Sequence, residues 1–394
     1  MFNNIKIGDY FIVLILVLCV VAITYLATNR IAFNKLLIKI YPAQSYLELR
    51  NLKCSDDSPL WLKDILEQVT RTHQSPNNQI AYINKNGKIS HCENGYLGLP
   101  LFSQGVTSET RFRFASVTKL FTSDAILTLI KNKQLKLDTP ILEVLNDIPK
   151  PQDTRIKSIT VEDLLLHRAG FNRTGLMGDE MFRQGSVPFC PNYLSKLSSY
   201  ELSFEPKKEF AYSNLGYCLL GMIVENKIKS KFDDYLNQDY HLANNNIKFL
   251  KNFKYSDEAK YRYIETSLTG YGDIYSAFDY ASLASSAGLS GNALQLAKQV
   301  KNMISKPKPN ILSQANIACD LSKIRDCYGY AMFPYQRSMN ELKVYFRDGV
   351  LPGASSLVVI TEKNEIFVLL SSGQAADSRI YDQTKMLIYD NLAR

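Results

Sequence analysis

The sequence predicts an α/β fold of the α+β kind, in which an antiparallel sheet built from both chain ends is flanked by helices. Two observations support this. Strand-like segments stand near both ends of the chain, and the long region between them follows helical periodicity. That central region is therefore predicted to be an all-helical lobe inserted into the sheet. A long apolar run near the N-terminus adds a predicted transmembrane helix.

The apolar run extends from Tyr10 to Thr28. As a helix it would span ~28 Å, roughly the hydrocarbon core of a bilayer. The run is long for a signal peptide and no good A-x-A cleavage site follows, so we favour an uncleaved anchor over a cleaved signal. Lys6 is the one basic residue before the run, whereas three basic residues, Arg30, Lys35 and Lys39, follow it. These charges favour a cytoplasmic C-terminal side, opposite to the side that the chemistry below favours, so the orientation stays open.

These patterns predict three segments. Residues 1–30 form the membrane anchor, and residues 31–74 form a stalk and a lead-in helix that starts after Pro59. Residues 75–394 form the main domain, with the helical lobe at about 120–310. The predicted strands are 80–84, a return strand from 88 after the Asn86-Gly87 turn, 342–346, 357–361 and 366–371. The predicted helices of the main domain are 116–130, 160–167, 214–228, 292–304 and 380–392.

Composition excludes several classes of protein. Hydrophobic residues make up 46% and charged residues 21%, as in a globular protein with a sizeable core. The net charge of +8 comes from scattered lysines without a long basic block, so no nucleic-acid partner is expected. Four histidines leave little room for a multi-histidine metal site, and we predict neither a metal nor a cofactor.

Six of the seven cysteines lie outside the predicted anchor, and none forms a C-x-x-C pair. An even number of cysteines fits an oxidising compartment. Cys319 and Cys327 lie close together in a loop-like region and are the best candidates for a disulfide. Cys218 lies in an apolar helical segment, where a buried free thiol is expected.

Ser116 and Lys119 are the first candidate site residues. Their spacing of three places the hydroxyl and the amine on the same side of a helix. The neighbouring residues are apolar, and desolvation disfavours the charged form of an amine. A neutral lysine can take the proton of a serine hydroxyl, which makes a nucleophile without a histidine.

Tyr212 and Asn214 flank a serine just before an apolar helix. A phenol normally titrates near 10, but a neighbouring lysine makes its anion accessible, so Tyr212 and Lys119 could share one proton. Asn214 offers an amide that would orient the lysine or a substrate carbonyl. The alternative is a plain helix N-cap, since serine and asparagine both cap well.

A third cluster is formed by Arg347, Asp348, Gly349 and Val350 at the end of a predicted strand. The glycine would let a substrate approach the backbone closely. The amide of Val350, together with that of Ser116, would form an oxyanion hole. The alternative is a strand and turn with a surface arginine.

In this order, the three clusters resemble the serine β-lactamase and penicillin-binding superfamily. The branch most similar is that of the class C β-lactamase-like proteins, with its D-alanyl carboxypeptidases and esterases, whose motifs are S-x-x-K, Y-x-N and K-T-G or H-x-G. The resemblance covers roughly residues 75–394. It implies a β-lactamase/transpeptidase-like fold and an acylated nucleophile at Ser116. Lys119 and Tyr212 would then share acid–base work, while Asn214 would position the lysine or the substrate.

Two positions depart from the family pattern. Arg347 stands where the family has lysine or histidine, and it keeps the charge without being able to shuttle protons. Asp348 stands where threonine is common and would repel a substrate carboxylate unless Arg347 neutralises it. That repulsion is about 4 kcal/mol for charges ~4 Å apart at an effective dielectric near 20. We therefore expect weak or absent β-lactamase activity. His167 matches a family position known for packing and is interpreted as structural.

The sequence thus predicts a membrane-anchored serine hydrolase with its catalytic domain in the periplasm and a single pass through the inner membrane. Its partner would be a small-molecule or peptide substrate with an ester or amide bond and no exposed carboxylate, and a cell-wall-derived substrate is one candidate. Two alternatives stay open. One is a slow-turnover or non-catalytic penicillin-binding protein that recognises cell-wall peptide, and the other is a D-alanyl-D-alanine carboxypeptidase.

Overall fold

The computed structural model describes residues 7–172, 181, 187–261, 274–275, 277–375 and 377–394. The strands are β1 (Lys53–Cys54), β2 (Asn78–Ile83), β3 (Ile89–Asn94), β4 (Phe112–Arg113), β5 (Lys248–Phe249), β6 (Leu289–Gly291), β7 (Phe333–Tyr335), β8 (Val344–Leu351), β9 (Ala354–Thr361) and β10 (Ile366–Ser371). The helices are α1 (Ile7–Thr28), α2 (Arg30–Glu48), α3 (Leu60–Thr72), α4 (Lys119–Lys131), α5 (Ile141–Val144), α6 (Val161–Leu165), α7 (Phe189–Asn192), α8 (Asn214–Ile228), α9 (Phe232–Asp239), α10 (Ala284–Ala287), α11 (Ala293–Ser305) and α12 (Ser378–Leu392).

Seven strands form one antiparallel sheet in the order β1-β3-β2-β10-β9-β8-β7. Strands β2 and β3 come from the N-terminal part of the main domain and the last four from its C-terminal part, so the predicted sheet built from both chain ends is confirmed. Strand β1 was not predicted and lies in the segment interpreted as a stalk. Strand β10 pairs with β2 along its whole length, from Ile366 opposite Ile83 to Ser371 opposite Asn78. This pairing joins the two ends of the main domain, so residues far apart in sequence lie in one sheet.

Both faces of this sheet are buried. On β9, Leu357 and Val359 belong to a core shared with α3 and α12, while Val358 and Ile360 belong to the larger core of the helical lobe. Alternate residues of a strand point to opposite faces, so each strand contributes to both cores. A smaller sheet, ordered β4-β6-β5, lies beside the site described below. Its strands β5 and β6 lie within residues 120–310, so the inserted lobe is mainly helical and not all-helical as predicted.

Among the described residues the predicted elements occur close to their expected bounds. Helix α8 and strand β10 match the predictions at both ends, and the lead-in helix is α3. The hairpin between β2 and β3 turns at Gly87, whose positive φ of 79° suits glycine. Strand β8 is longer than predicted, because its pairing with β9 continues as far as Leu351 opposite Ala354.

Three disulfides join the six cysteines that follow α1. They are Cys54–Cys92, Cys190–Cys218 and Cys319–Cys327. The predicted Cys319–Cys327 pair is confirmed. The prediction of a free thiol at Cys218 is wrong, since this residue of α8 is bonded to Cys190 of α7. The apolar setting that suggested a free thiol is the interface between these two helices.

Helix α1 contains a stretch, Tyr10–Thr28, that is long and apolar enough to cross a membrane by length and composition. Helix α2 starts two residues after α1 ends, and Asn29 caps its first turn. The C-terminal half of α2 packs on the main domain, where the buried Tyr41 hydroxyl donates to the Thr70 carbonyl oxygen at 2.6 Å. The predicted stalk therefore includes a docked helix.

Candidate active site

Ser116 lies in a short 3-10 helix, Ala115–Thr118, that leads directly into α4. Ala115 has a φ of 47°, a left-handed conformation that is uncommon for a residue with a side chain. Lys119 is the first residue of α4, and its Nζ lies 3.4 Å from the Ser116 Oγ. The predicted pairing of hydroxyl and amine is thus present in space. Ser116 keeps partial exposure, whereas Lys119 is fully buried.

The Lys119 ammonium is held by acceptors from two other elements. Its Nζ donates to the Asn214 Oδ1 at 2.6 Å and to the Ser286 carbonyl oxygen, in α10, at 2.9 Å. Asn214 is the first residue of α8, and the N-cap is the preceding Ser213, whose hydroxyl accepts from the Gly216 N–H. Ser213 therefore caps the helix, while its neighbour Asn214 accepts the hydrogen bond from Lys119.

Tyr212 lies across the site from Lys119. The Lys119 Nζ is 5.0 Å from the centre of its ring, and the Arg347 Nη2 donates to its hydroxyl oxygen at 2.8 Å. Burial alone would raise the pKa of Tyr212. The positive charges of Arg347 and Lys119, with side-chain hydrogen bonds to Lys119 and Ser116, outweigh burial and lower the pKa of Tyr212 to about 8. The phenol is therefore a much stronger acid than an ordinary tyrosine.

Arg347 extends from β8 toward the Ser116 turn and is fully buried. Its Nε donates to the Ser116 carbonyl oxygen at 2.9 Å, and its Nη1 donates to the Tyr328 hydroxyl at 2.8 Å and to the Ala331 carbonyl oxygen at 3.4 Å. With the bond to Tyr212, four of its five N–H groups have acceptors. No carboxylate among the described residues lies within ion-pair distance of this guanidinium. Its pKa is raised well above the ordinary value, because the nearby phenols outweigh the effect of burial.

Gly349 lies against the nucleophile turn. A Cβ added at this position would lie 2.7 Å from the Ser116 amide nitrogen and 2.5 Å from the Ser356 Oγ. The absence of a side chain at Gly349 therefore lets β8 approach the backbone of Ser116. Val350 follows at the exposed end of the strand. The oxyanion role of the Ser116 and Val350 amides stays a prediction.

Asp348 does not belong to this cluster. Its side chain points to the opposite face of β8, where its Oδ2 lies 2.8 Å from the Lys385 Nζ and 3.4 Å from the Arg325 Nη2. Burial would raise the pKa of the Asp348 carboxyl, but Lys385 and then Arg325 lower it to about 2. The expected repulsion of a substrate carboxylate by Asp348 is therefore wrong, because neighbouring residues of a strand face opposite ways.

His167 is buried behind the site. Its Nδ1 accepts from the Ser213 N–H at 3.1 Å, and its ring centre lies 4.3 Å from that of Tyr212. It also packs on Tyr328, at 5.0 Å. These contacts fit the packing role that the sequence predicted. Tyr328 and the Ser286 carbonyl oxygen also belong to the site and were not predicted, since neither lies in a recognisable motif.

The β-lactamase family model matches residues 64–240 of the chain. The chain is 32% identical over 378 residues to the putative fimbrial assembly protein FimD, serogroup D, of Dichelobacter nodosus, which covers 95% of this chain and 94% of that relative. Protein flp of Staphylococcus aureus is 26% identical over 206 residues, covering 50% of this chain and 40% of that relative.

Solved structures share the fold. The β-lactamase/D-alanine carboxypeptidase from Yersinia pestis, complexed with citrate, has a TM-score of 0.67 and 17% identity, covering 85% of this chain and 99% of that one. The D-amino acid amidase from Ochrobactrum anthropi SV3 has a TM-score of 0.65 and 20% identity, covering 84% and 99%. At these identities the likeness concerns the fold alone.

Proposed function

The chain belongs to the serine β-lactamase/transpeptidase superfamily, and we propose that it is a serine hydrolase acting through an acyl-enzyme on an ester or amide. One observation carries the proposal. The Ser116 Oγ lies 3.4 Å from the Lys119 Nζ, and that Nζ lies 5.0 Å from the centre of the Tyr212 ring. A nucleophile, a cation and an acidic phenol thus lie together at a partly exposed position, an arrangement suited to activating a serine for acyl transfer.

In the acylation step Tyr212 acts as the general base in its phenolate form. The Ser116 Oγ attacks the substrate carbonyl carbon while its proton passes to the Tyr212 oxygen. The amides of Ser116 and Val350 stabilise the resulting oxyanion. As the tetrahedral intermediate collapses, the bond to the leaving nitrogen or oxygen breaks. The Tyr212 proton then neutralises that leaving group, which departs as an amine or alcohol.

Deacylation repeats these transfers with water. Tyr212, again a phenolate, takes a proton from a water molecule that attacks the acyl carbon. The Ser116 oxygen leaves and receives the proton, which releases a carboxylic acid. The Lys119 Nζ donates to the Asn214 Oδ1 and to the Ser286 carbonyl oxygen, and its positive charge stabilises the phenolate.

The proposed substrate has no carboxylate that the enzyme must bind. The reason differs from the one that the sequence suggested, since Asp348 faces away. Arg347 donates four of its five N–H groups to protein oxygens, one of them that of Tyr212, and so offers little to a substrate carboxylate. An ester or amide with an uncharged acyl group suits this site best.

We further propose that the protein is anchored in the inner membrane by a single pass, with the catalytic domain in the periplasm. Helix α1 supports the anchor by its length and composition. The three disulfides support an oxidising compartment. The name of the Dichelobacter nodosus relatives, fimbrial assembly protein, suits a place in the cell envelope.

That name also supports a second candidate, a non-catalytic or slow-turnover role in fimbrial assembly, in which the site recognises a peptide. The relatives so named align with this chain over almost their whole length. The slow-turnover form would behave as a penicillin-binding protein, and the remaining alternative is a D-alanyl-D-alanine carboxypeptidase. Both would have to bind a ligand carboxylate, which the occupied N–H groups of Arg347 disfavour.

Covalent labelling tests the proposal. The detergent-solubilised full-length protein is treated with a fluorophosphonate and its intact mass is measured. We expect one adduct on the wild type and none on Ser116→Ala, while the exposed surface control Ser158→Ala keeps the adduct. Equal labelling of a folded Ser116→Ala variant would place the nucleophile elsewhere.

Turnover separates the two candidates. Multiple turnovers of p-nitrophenyl butyrate, lost in Ser116→Ala, would favour the hydrolase. A single burst of p-nitrophenol, with an acyl adduct that persists in the mass spectrum, would favour the slow-turnover role.

A further inference from the structure

A disulfide-closed loop borders the site on the side of Arg347. The Cys319–Cys327 bond closes a loop of nine residues, and Tyr328 follows immediately. Inside the loop the Asp320 N–H donates to the Asp326 carboxylate at 2.7 Å. This bond adds a second internal closure, so the position of Tyr328 is tied to that of the loop.

The loop is also attached to the sheet and to α12. The Arg325 Nη2 lies 3.4 Å from the Asp348 Oδ2 and 3.0 Å from the Asp382 Oδ1. The Leu321 carbonyl oxygen accepts from the Gln336 N–H at 2.9 Å. These contacts fasten the loop to β8 at Asp348, the residue next to Arg347.

Tyr328 projects from this loop to the site. Its hydroxyl accepts from the Arg347 Nη1 at 2.8 Å, and its ring packs on His167 at 5.0 Å and on Phe333 at 4.6 Å. His167 in turn packs on Tyr212. Tyr328 therefore contacts the Arg347 guanidinium directly, and it also contacts His167, which packs on the proposed base Tyr212.

The chemistry of this contact matters. A carboxylate at the position of the Tyr328 hydroxyl would also hold Arg347, but it would cancel the positive charge. A neutral phenol accepts the hydrogen bond without that cancellation, so the charge of Arg347 acts on Tyr212, 2.8 Å from its Nη2. The pKa of Tyr328 itself is raised far above the ordinary value, chiefly by burial, which keeps the phenol neutral.

We propose that Tyr328 is a positioning residue for acylation, and that the Cys319–Cys327 loop holds its hydroxyl where it orients Arg347 toward Tyr212. This inference rests on the proposed function, since it assigns Tyr328 a task in the activation of Ser116. Tyr328 acts through Arg347 and does not touch the reacting atoms.

The test compares Tyr328→Phe with Tyr330→Phe in the full-length protein. The control removes a hydroxyl that is two residues away and donates to the Glu162 Oε1 at 2.8 Å, whereas the Tyr328 hydroxyl accepts from Arg347. The rate of fluorophosphonate labelling is measured from pH 6 to 10. We expect Tyr328→Phe to raise the pH midpoint, at which the labelling rate reaches half its maximum, by about one unit. The reason is that a less constrained Arg347 guanidinium stabilises the Tyr212 phenolate less. Tyr330→Phe should leave the midpoint in place.

If Tyr328→Phe fails to fold, the same measurement is made on the double variant Cys319→Ser with Cys327→Ser. It keeps every group at the site and frees only the loop, and we expect the midpoint to rise in the same direction. A wild-type midpoint in whichever variant folds would overturn the positioning role while leaving the hydrolase proposal intact. Absence of labelling in the wild type would instead overturn both.

Discussion

The two faces of strand β8 carry neighbouring charges in opposite settings. On one face Arg347 is buried among phenols and carbonyl groups, with no carboxylate of the described residues in ion-pair range. On the other face Asp348 forms ion pairs with Lys385 and Arg325. The two side chains are adjacent in sequence, yet one belongs to the candidate site and the other to the packing of α12 on the sheet.

This difference shows how the two charges act. The charge of Asp348 is matched by cations, so its electrostatic effect is local and structural. The charge of Arg347 is met by neutral acceptors, so it acts on the group that can become an anion, which is Tyr212. A buried cation held by neutral oxygens costs free energy of desolvation, and the proposed task of Arg347 in activating Tyr212 supplies a reason for that cost.

Replacement of Arg347 should reduce activity more than replacement of Asp348. With Arg347→Met the pKa of Tyr212 should return toward 10, so the phenolate at pH 7 falls from about a tenth to about a thousandth of the molecules. We expect acylation at pH 7 to fall about 100-fold, as measured by the rate of fluorophosphonate labelling.

Arg347→Lys is the matched control, since it keeps the positive charge and should keep most of the rate. Equal losses in the two variants, with unchanged melting temperatures, would mean that hydrogen-bond geometry and not charge is what Arg347 supplies.

Replacement of Asp348 should act mainly on stability. Asp348→Asn removes the carboxylate that lies 2.8 Å from the buried Lys385, which keeps the longer contact of 3.6 Å to Asp382. We expect a loss of about 2 kcal/mol in the free energy of unfolding, less than the ~3–5 kcal/mol for a fully buried pair, because 24% of the Asp348 side chain is exposed. The loss in labelling rate should be smaller than that of Arg347→Met.

The pH dependence of stability tests whether the ionised Asp348 carboxylate stabilises the folded protein. The pKa of Asp348 is lowered to about 2 in the folded protein, so its stabilising effect is present above the ordinary pKa near 4 and is lost as the pH falls from about 4 to about 2. Thermal unfolding of Asp348→Asn should show less change over this interval than the wild type. Equal slopes would remove Asp348 from the stability of the folded state.

Much of the fold was predictable because its signals are local. The Asn86-Gly87 turn, the apolar run of α8 and the strand β10 are each specified by residues close in sequence. The pairing of Ser116 with Lys119 was also predictable, since a spacing of three fixes their relation within one helical turn.

The rest depends on contacts between distant segments. Both faces of β8 and β9 are largely buried, so the pattern of apolar residues did not show that Asp348 points away from the site. The bond from Cys218 to Cys190 depends on how α7 packs against α8. Tyr328 reaches Arg347 from a loop without a motif, and only the folded chain brings the two together.

The most direct test of the central claim is the pH dependence of acylation in the wild-type protein. If Arg347 and Lys119 make Tyr212 the base, the labelling rate should rise with pH and reach half its maximum near pH 8, the pKa of Tyr212 in the folded protein. A rate that does not change between pH 6 and 9, or a midpoint near the ordinary phenol value of 10, would contradict the account.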